Sequence, residues 1–259
     1  MKTLRNLLAM VAAIALVACA STGGAGGAPR LTRQAQAIQA AVASPDRPAK
    51  DRDEDVKRKP VEVMTLAGVA PGQRIIDIFS SGGWYAELLA RVVGPKGRVY
   101  AQNPPSVLKR FGDKAITERL ANNRLPNVVR LDKEPNALQL APNSLDGAMI
   151  NLVFHDLQWI TQDVPGFLGD LHQALKKNAW VAVIDHAAPA GTRDSFAKDP
   201  RGQHRIDEAF TRGLFEAAGF RLAATSDILR NPADDRQKAF FAPEMRGQLT
   251  DKFIYIYRK

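Results

Sequence analysis

Two stretches of this 259-residue chain carry residue types at spacings that suit chemistry. Asp77 ends a short apolar run and is followed at 80–83 by Ser-Ser-Gly-Gly. A glycine pair before a helix lets backbone N–H groups approach a ligand, and the helix dipole favours electron-rich groups there. Farther along, His155 and Asp156 adjoin a second apolar run. Because histidine titrates near neutral pH, His155 is a candidate proton acceptor that a carboxylate can orient.

Apolar runs that alternate with amphipathic segments predict an α/β fold around these residues. A buried strand at 75–78 precedes a helix at 84–93, where apolar residues recur at three- and four-residue spacing. Further strands are predicted at 98–101, 128–131, 147–153, 180–184, 221–225 and 253–257, and further helices at 31–44, 60–66, 113–122, 164–175 and 206–217. This alternation implies parallel pairing, with ligands bound outside the carboxyl ends of the strands.

The stretch from Asp77 to Tyr85 resembles the first motif of class I S-adenosylmethionine-dependent methyltransferases, Asp-x-Gly-x-Gly-x-Gly. Asp77 and Gly83 match this motif, whereas Phe79 and Ser81 stand where the first two glycines are expected. Gly-Gly-Trp-Tyr at 82–85 is similar to the loop of a bacterial family of predicted exported methyltransferases. The resemblance implies a Rossmann-like sheet of seven mostly parallel strands, with helices on both faces and the last strand antiparallel.

The same resemblance implies that S-adenosylmethionine is the cofactor and that it binds at the strand ends. The residues implied to bind it are Asp77, Ser80, Ser81, Gly82 and Gly83 after the first strand, Gln102 and Asn103 after the second, Asp132 after the third, and Asn151 after the fourth. A capping aspartate and surface amides remain the alternatives for Asp132, Gln102 and Asn103.

His155 and Asp156 fall where methyltransferases place groups that face the methyl-accepting atom, and they are the predicted catalytic pair. The alternative is a histidine that hydrogen-bonds loop backbone. Arg205 is predicted either to clamp an acidic group or to pair with a local carboxylate. The four histidines are scattered and no Cys-x-x-Cys occurs, so no metal site is predicted.

The N-terminus is typical of an exported lipoprotein. Residues 1–18 combine a basic start with an apolar run too short to span a bilayer. Residues 16–19, Leu-Val-Ala-Cys, resemble a lipoprotein box, which implies lipid on Cys19, the single cysteine. Residues 19–46 are then the lipidated cysteine, a flexible tether and a helix, and 47–259 are the methyltransferase-like domain. Ala20 resembles signals for the outer membrane, with the domain facing the periplasm; an ordinary cleaved signal is the alternative.

Charge and composition restrict the classes of binding partner that the sequence predicts. The formal net charge of +9 suits anionic headgroups near the anchor or an acidic substrate. Nucleic acid is not predicted as a partner, because no basic stripe is interleaved with aromatic residues. The mixed charges at 47–59 predict a solvated helix face.

Two functions follow as hypotheses. One is methyl transfer from S-adenosylmethionine to a small or lipid-like acceptor. The other is a degenerate methyltransferase fold that binds a ligand without catalysis, a hypothesis favoured by the altered loop and by the exported location.

Overall fold

The computed structural model describes residues 31–111, 113–161 and 163–259, and seven strands in this part of the chain form one sheet. The strands are β1 (Arg74–Ile78), β2 (Arg98–Asn103), β3 (Val128–Asp132), β4 (Leu145–Asn151), β5 (Leu175–His186), β6 (Arg221–Thr225) and β7 (Lys252–Arg258). Their order is β3-β2-β1-β4-β5-β7-β6. The first five strands pair in parallel, and β7 is antiparallel to both its neighbours. The predicted seven-stranded α/β fold with an antiparallel last strand is confirmed.

Helices cover both faces of the sheet, as the alternating pattern predicts. They are α1 (Arg33–Ala43), α2 (Ala49–Asp53), α3 (Asp55–Arg58), α4 (Pro60–Ala67), α5 (Trp84–Val93), α6 (Pro105–Phe111), α7 (Asp113–Leu120), α8 (Phe154–Ile160), α9 (Val164–Ala174) and α10 (Glu208–Ala217). Successive residues of β1 belong to opposite cores: Ile75 packs with α1, α4 and α5, and Ile76 packs with α8, α9 and α10. The period of two along a strand therefore builds two apolar layers around one sheet.

The segment 47–59 differs from its prediction as a solvated helix face. It folds into α2 and α3, and Arg47 and Asp51 are buried. The guanidinium of Arg47 makes two hydrogen bonds to Asp55, with N–O distances of 2.7 and 2.8 Å. The Trp84 indole N–H donates to the Asp51 carbonyl at 3.0 Å, and the Arg58 guanidinium lies 4.8 Å from the Trp84 ring centroid. The prediction holds for Lys50, Arg52, Asp53 and Lys57, which are exposed. It fails for Arg47 and Asp51, because these residues find partners that a local charge pattern does not reveal.

None of the helices in the described ranges is both long and apolar enough to cross a membrane. The predicted signal peptide, Cys19 and most of the tether lie outside the described residues. The predicted helix at 31–44 is present as α1, and its residues Ile38 and Ala41 are buried against α5.

Candidate functional site

A cavity of about 700 Å³ lies outside the carboxyl ends of β1 and β4. In the sheet, β1 lies between β2 and β4. From β1 the chain continues outwards through β2 and β3 on one side and then crosses to β4 on the other side, so strand order reverses at β1. The cavity volume falls within the range of small-molecule sites. Its walls come from the loop after β1, the turn after β4, and the segments around α2, α3, α6 and α8.

The loop after β1 keeps glycine-like backbone angles without the first two glycines of the motif. Phe79 and Ser81 have φ of 55° and 53°, in the left-handed region that favours glycine. Each such residue costs about 1–3 kcal/mol of stability, so the surrounding structure must hold the loop in place. The Phe79 ring packs against the core that contains α8 to α10 and also lines the cavity.

The two amides after β2 hold this loop by its backbone. The Phe79 N–H donates to the Gln102 side-chain oxygen at 2.9 Å, and the Ser81 N–H donates to the Asn103 side-chain oxygen at 2.7 Å. Gln102 also donates to the Lys133 carbonyl at 2.7 Å. Both the oxygen and the nitrogen of the Gln102 side-chain amide therefore make hydrogen bonds within the protein. Asn103 bonds the loop and also lines the cavity. The surface-amide alternative does not apply, because both side chains are buried.

Asp77 supports the loop from below. Its carboxylate accepts a hydrogen bond from the Ser80 hydroxyl at 2.6 Å. Burial raises the pKa of Asp77 to about 7, although the Ser80 hydroxyl and the nearby backbone N–H of Ala86 favour the charged form. The side chain therefore changes charge near neutral pH at the floor of the cavity.

Gly83 holds the opposite side of the loop against α7. It has φ of 79°, and a Cβ there would lie 2.8 Å from the Ile116 side chain and 2.9 Å from that of Arg119. Arg119 donates to the Gly82 carbonyl and pairs with Asp51 and Glu87. Gly83 is thus required for packing of the loop on α7, and its missing side chain does not face the cavity.

The structure separates the predicted site residues into two groups. Those that line the cavity are Asp77, Ser80, Ser81, Gly82, Asn103, Asn151 and Asp156. Those that lie behind its wall or away from it are Gly83, Gln102, Asp132 and His155. Asp132 ends a strand at the edge of the sheet and is exposed, and its carboxylate pairs with Arg130 at 2.6 Å.

His155 and Asp156 lie in the first turn of α8, a helix that the sequence analysis did not predict. His155 is 1% exposed, and its Nδ1 lies 2.6 Å from the Asp185 carboxylate. Burial opposes the charge on His155, but Asp185 outweighs it and raises the pKa of the imidazole. Only Asp156 of this pair reaches the cavity, so contact of His155 with an acceptor stays a prediction.

Two further residues, His204 and Phe240, line the cavity but were not predicted as site residues. Nδ1 of His204 lies 3.0 Å from Asp156, and its pKa is raised because of the hydrogen bond to that carboxylate. Phe240 stacks on the His186 ring at a centroid distance of 4.9 Å and lines the cavity with His204. Both arrive from loops distant in sequence. His204 begins the run His-Arg-Ile-Asp at 204–207, which resembles a pattern of the exported family and was the one signal that could have revealed it, whereas Phe240 belongs to no motif.

No family model matches this chain. Among similar solved structures is an S-adenosylmethionine-dependent methyltransferase from Aquifex aeolicus, with 21% identity, a TM-score of 0.58, and coverage of 82% of this chain and 98% of that one. Another is CrArsM, an arsenic(III) S-adenosylmethionine methyltransferase from Chlamydomonas reinhardtii, with 20% identity, a TM-score of 0.54, and coverage of 86% and 72%. A third is the [4+2]-cyclase SpnF, with 15% identity, a TM-score of 0.56, and coverage of 88% and 96%.

These similarities show that the chain shares its fold with solved S-adenosylmethionine-dependent methyltransferases. A cyclase has the same fold, so the reaction must be argued from the site.

Proposed function

We propose that this protein transfers a methyl group from S-adenosylmethionine to a small or lipid-like acceptor. The observation that carries the proposal is the cavity at the reversal of strand order, with the loop 79–82 on one wall. Phe79 and Ser81 of this loop have the left-handed backbone conformation that glycine favours, and the first turn of α5 leaves backbone N–H groups without intrahelical partners. These features fit a nucleoside cofactor with a charged amino-acid tail.

The two ends of the cavity suit the two reactants. Near the loop, Phe79 and Leu108 offer apolar surface, and Asn103 offers a polar group. Near α8, Asp156 and Trp159 face the space that remains for an acceptor. Methyl transfer needs alignment of the acceptor with the sulfonium methyl, exclusion of water, and in some cases a proton acceptor. Of the predicted catalytic pair, Asp156 is the member that lines this space.

A substitution at Asn103 tests the cofactor site. Asn103→Leu removes the side-chain oxygen that accepts the Ser81 N–H, and it is expected to weaken the binding of S-adenosylhomocysteine at least tenfold. The reason is that the loop loses a bond that offsets its left-handed backbone strain. The measurement is isothermal titration calorimetry of wild type and variant.

Asn127→Leu is the matched control. Asn127 also bridges backbone groups, donating to the carbonyls of Ala90 and Gly94 at 2.8 and 3.0 Å, and it lies outside the cavity. Its loss is expected to lower stability without changing affinity. Equal affinities of wild type and Asn103→Leu would exclude this loop as the binding element. Transfer of labelled methyl from S-adenosylmethionine into an envelope extract, with Asn103→Leu as the negative control, then tests catalysis.

We also propose that the protein works outside the cytoplasm, anchored through lipid on Cys19, and that it belongs with the exported bacterial family that its Gly-Gly-Trp-Tyr loop resembles. The apolar run that ends in Leu-Val-Ala-Cys at 16–19 supports this proposal. The positive charge of the chain suits contact with anionic headgroups.

Cys19→Ala is expected to leave an unprocessed precursor without lipid, because the modified side chain is absent. Mass spectrometry of the N-terminus and membrane fractionation of both proteins provide the test. A wild-type N-terminus at any residue other than a lipid-modified Cys19 would contradict the anchor.

A further inference from the structure

Three of the four histidines of the chain gather beside the cavity. The ring centroid of His155 lies 5.3 Å from that of His204 and 5.8 Å from that of His186. The carboxylate of Asp156 is shared by two of these rings: its Oδ1 lies 3.3 Å from His155 Nε2 and 3.0 Å from His204 Nδ1. His155, Asp156 and His204 each offer one potential ligand atom, and these three atoms all lie within 4.8 Å of one another.

The hydrogen bonds of the two rings show which nitrogen can bind a cation. Nε2 of His204 lies 3.0 Å from the Pro200 carbonyl, which can only accept, so this nitrogen donates. Nδ1 of His155 lies 2.6 Å from the Asp185 carboxylate, which likewise leaves Nε2 as the nitrogen without a proton in a neutral ring. Nδ1 of His204 donates to the Asp156 carboxylate, and a cation that displaces this proton would be held by two imidazole nitrogens and a carboxylate oxygen that already lie close together.

Nε2 of His155 supplies the second, independent observation. It is buried and has no hydrogen-bond partner among the described residues, although Asp156 lies near it. An orphaned buried nitrogen costs about 1–3 kcal/mol. The Asp185 carboxylate behind the ring is the partner that metal-bound histidines commonly have, because it holds the ring and raises its basicity.

We propose that His155 Nε2, Asp156 Oδ1 and His204 Nδ1 bind a divalent first-row transition-metal cation of the zinc class. Zinc bonds of about 2.0–2.2 Å place neighbouring tetrahedral ligands about 3.3 Å apart, close to the two spacings in the structure. Two imidazoles with one carboxylate suit Zn²⁺ or Fe²⁺, whereas Mg²⁺ and Ca²⁺ prefer ligand sets made of oxygen.

The position of the site gives the cation an open side. Asp156 and His204 line the cavity, whereas His155 lies behind them, so the remaining coordination positions face the space for a ligand. Three protein ligands with an open position are typical of catalytic zinc sites. If the proposed methyl transfer holds, the cation would bind an acceptor through an oxygen, nitrogen or sulfur lone pair. Cation binding itself does not depend on that function.

The test is a titration of untagged, metal-free protein in a Cys19→Ser background, which removes the only thiol. Zn²⁺ is followed by calorimetry, and Co²⁺ by visible absorption that reports its coordination. One equivalent is expected to bind. His204→Ala is expected to lower the affinity at least tenfold, and Asp185→Asn by about 10- to 100-fold, because Asp185 positions His155.

His172→Ala is the matched control, since it removes a histidine that is not among the three ligands and packs on Phe220 instead. It is expected to bind Zn²⁺ as wild type does. His204 lies in a loop, so His204→Ala is expected to remain folded, and circular dichroism checks this. The proposal is overturned if wild type binds no cation, or if His204→Ala binds as tightly as His172→Ala. Calorimetry with S-adenosylhomocysteine on the same samples tests the proposed function separately.

Discussion

Asp77→Asn is expected to raise the free energy of unfolding by about 4 kcal/mol at pH 8 and to leave it nearly unchanged below pH 4. The carboxyl group has a pKa of about 7 in the folded protein because burial disfavours its charge, against 3.8 as the ordinary value. A folded pKa above the unfolded one means that the native state binds the extra proton, so stability is lost as pH rises from about 4 to about 7. At about 1.4 kcal/mol per pH unit, this interval gives the expected size.

Urea unfolding of wild type and Asp77→Asn across this pH range, without ligand, provides the measurement. Ser80→Ala is the companion variant, and it is expected to lower the free energy of unfolding at pH 8 where Asp77→Asn raises it. The Ser80 hydroxyl donates to the Asp77 carboxylate and favours the charged form, so its removal is expected to raise the pKa of Asp77 further. A difference between Asp77→Asn and wild type that does not vary with pH would show that Asp77 keeps an ordinary pKa.

Most helices and strands could be predicted from the sequence, because the residue pattern that produces each of them lies within its own segment. Residues 84–93 show the apolar spacing of a helix, and α5 occupies the same residues. The buried strands follow from short apolar runs, and helices between them favour parallel pairing. The two short helices α6 and α8 were missed, since seven residues give too few turns for a clear period.

The roles of individual site residues were harder to predict, because they depend on contacts between distant segments. Gln102 was predicted as a cofactor ligand, but its amide holds the backbone of Phe79. Phe79 departs from the glycine motif, yet its backbone keeps the left-handed conformation, which no rule on residue type would predict. His204 reaches Asp156 from a loop far along the chain, so the group of possible metal ligands became visible only in three dimensions.

Arg205→Met is expected to lower the free energy of unfolding by about 3–5 kcal/mol, because Arg205 is the buried partner of Asp234. Its guanidinium is fully buried, and it donates to the two carboxylate oxygens of Asp234 at 2.8 and 3.1 Å. It also donates to the carbonyls of Lys238 and Ala187. Of the two predicted roles, the structure favours pairing with a carboxylate over a clamp for substrate.

Three variants separate these roles by urea unfolding and by turnover. Arg212→Met removes an exposed pair with Glu216 and is expected to leave unfolding unchanged, since surface pairs contribute little. Adding Asp234→Asn to Arg205→Met is expected to recover part of the loss, because the uncompensated buried charge disappears. If Arg205→Met instead unfolds as wild type does and only needs more acceptor to reach half-maximal rate, Arg205 is a clamp. In that case the Asp234 carboxylate must find another donor when its partner is removed.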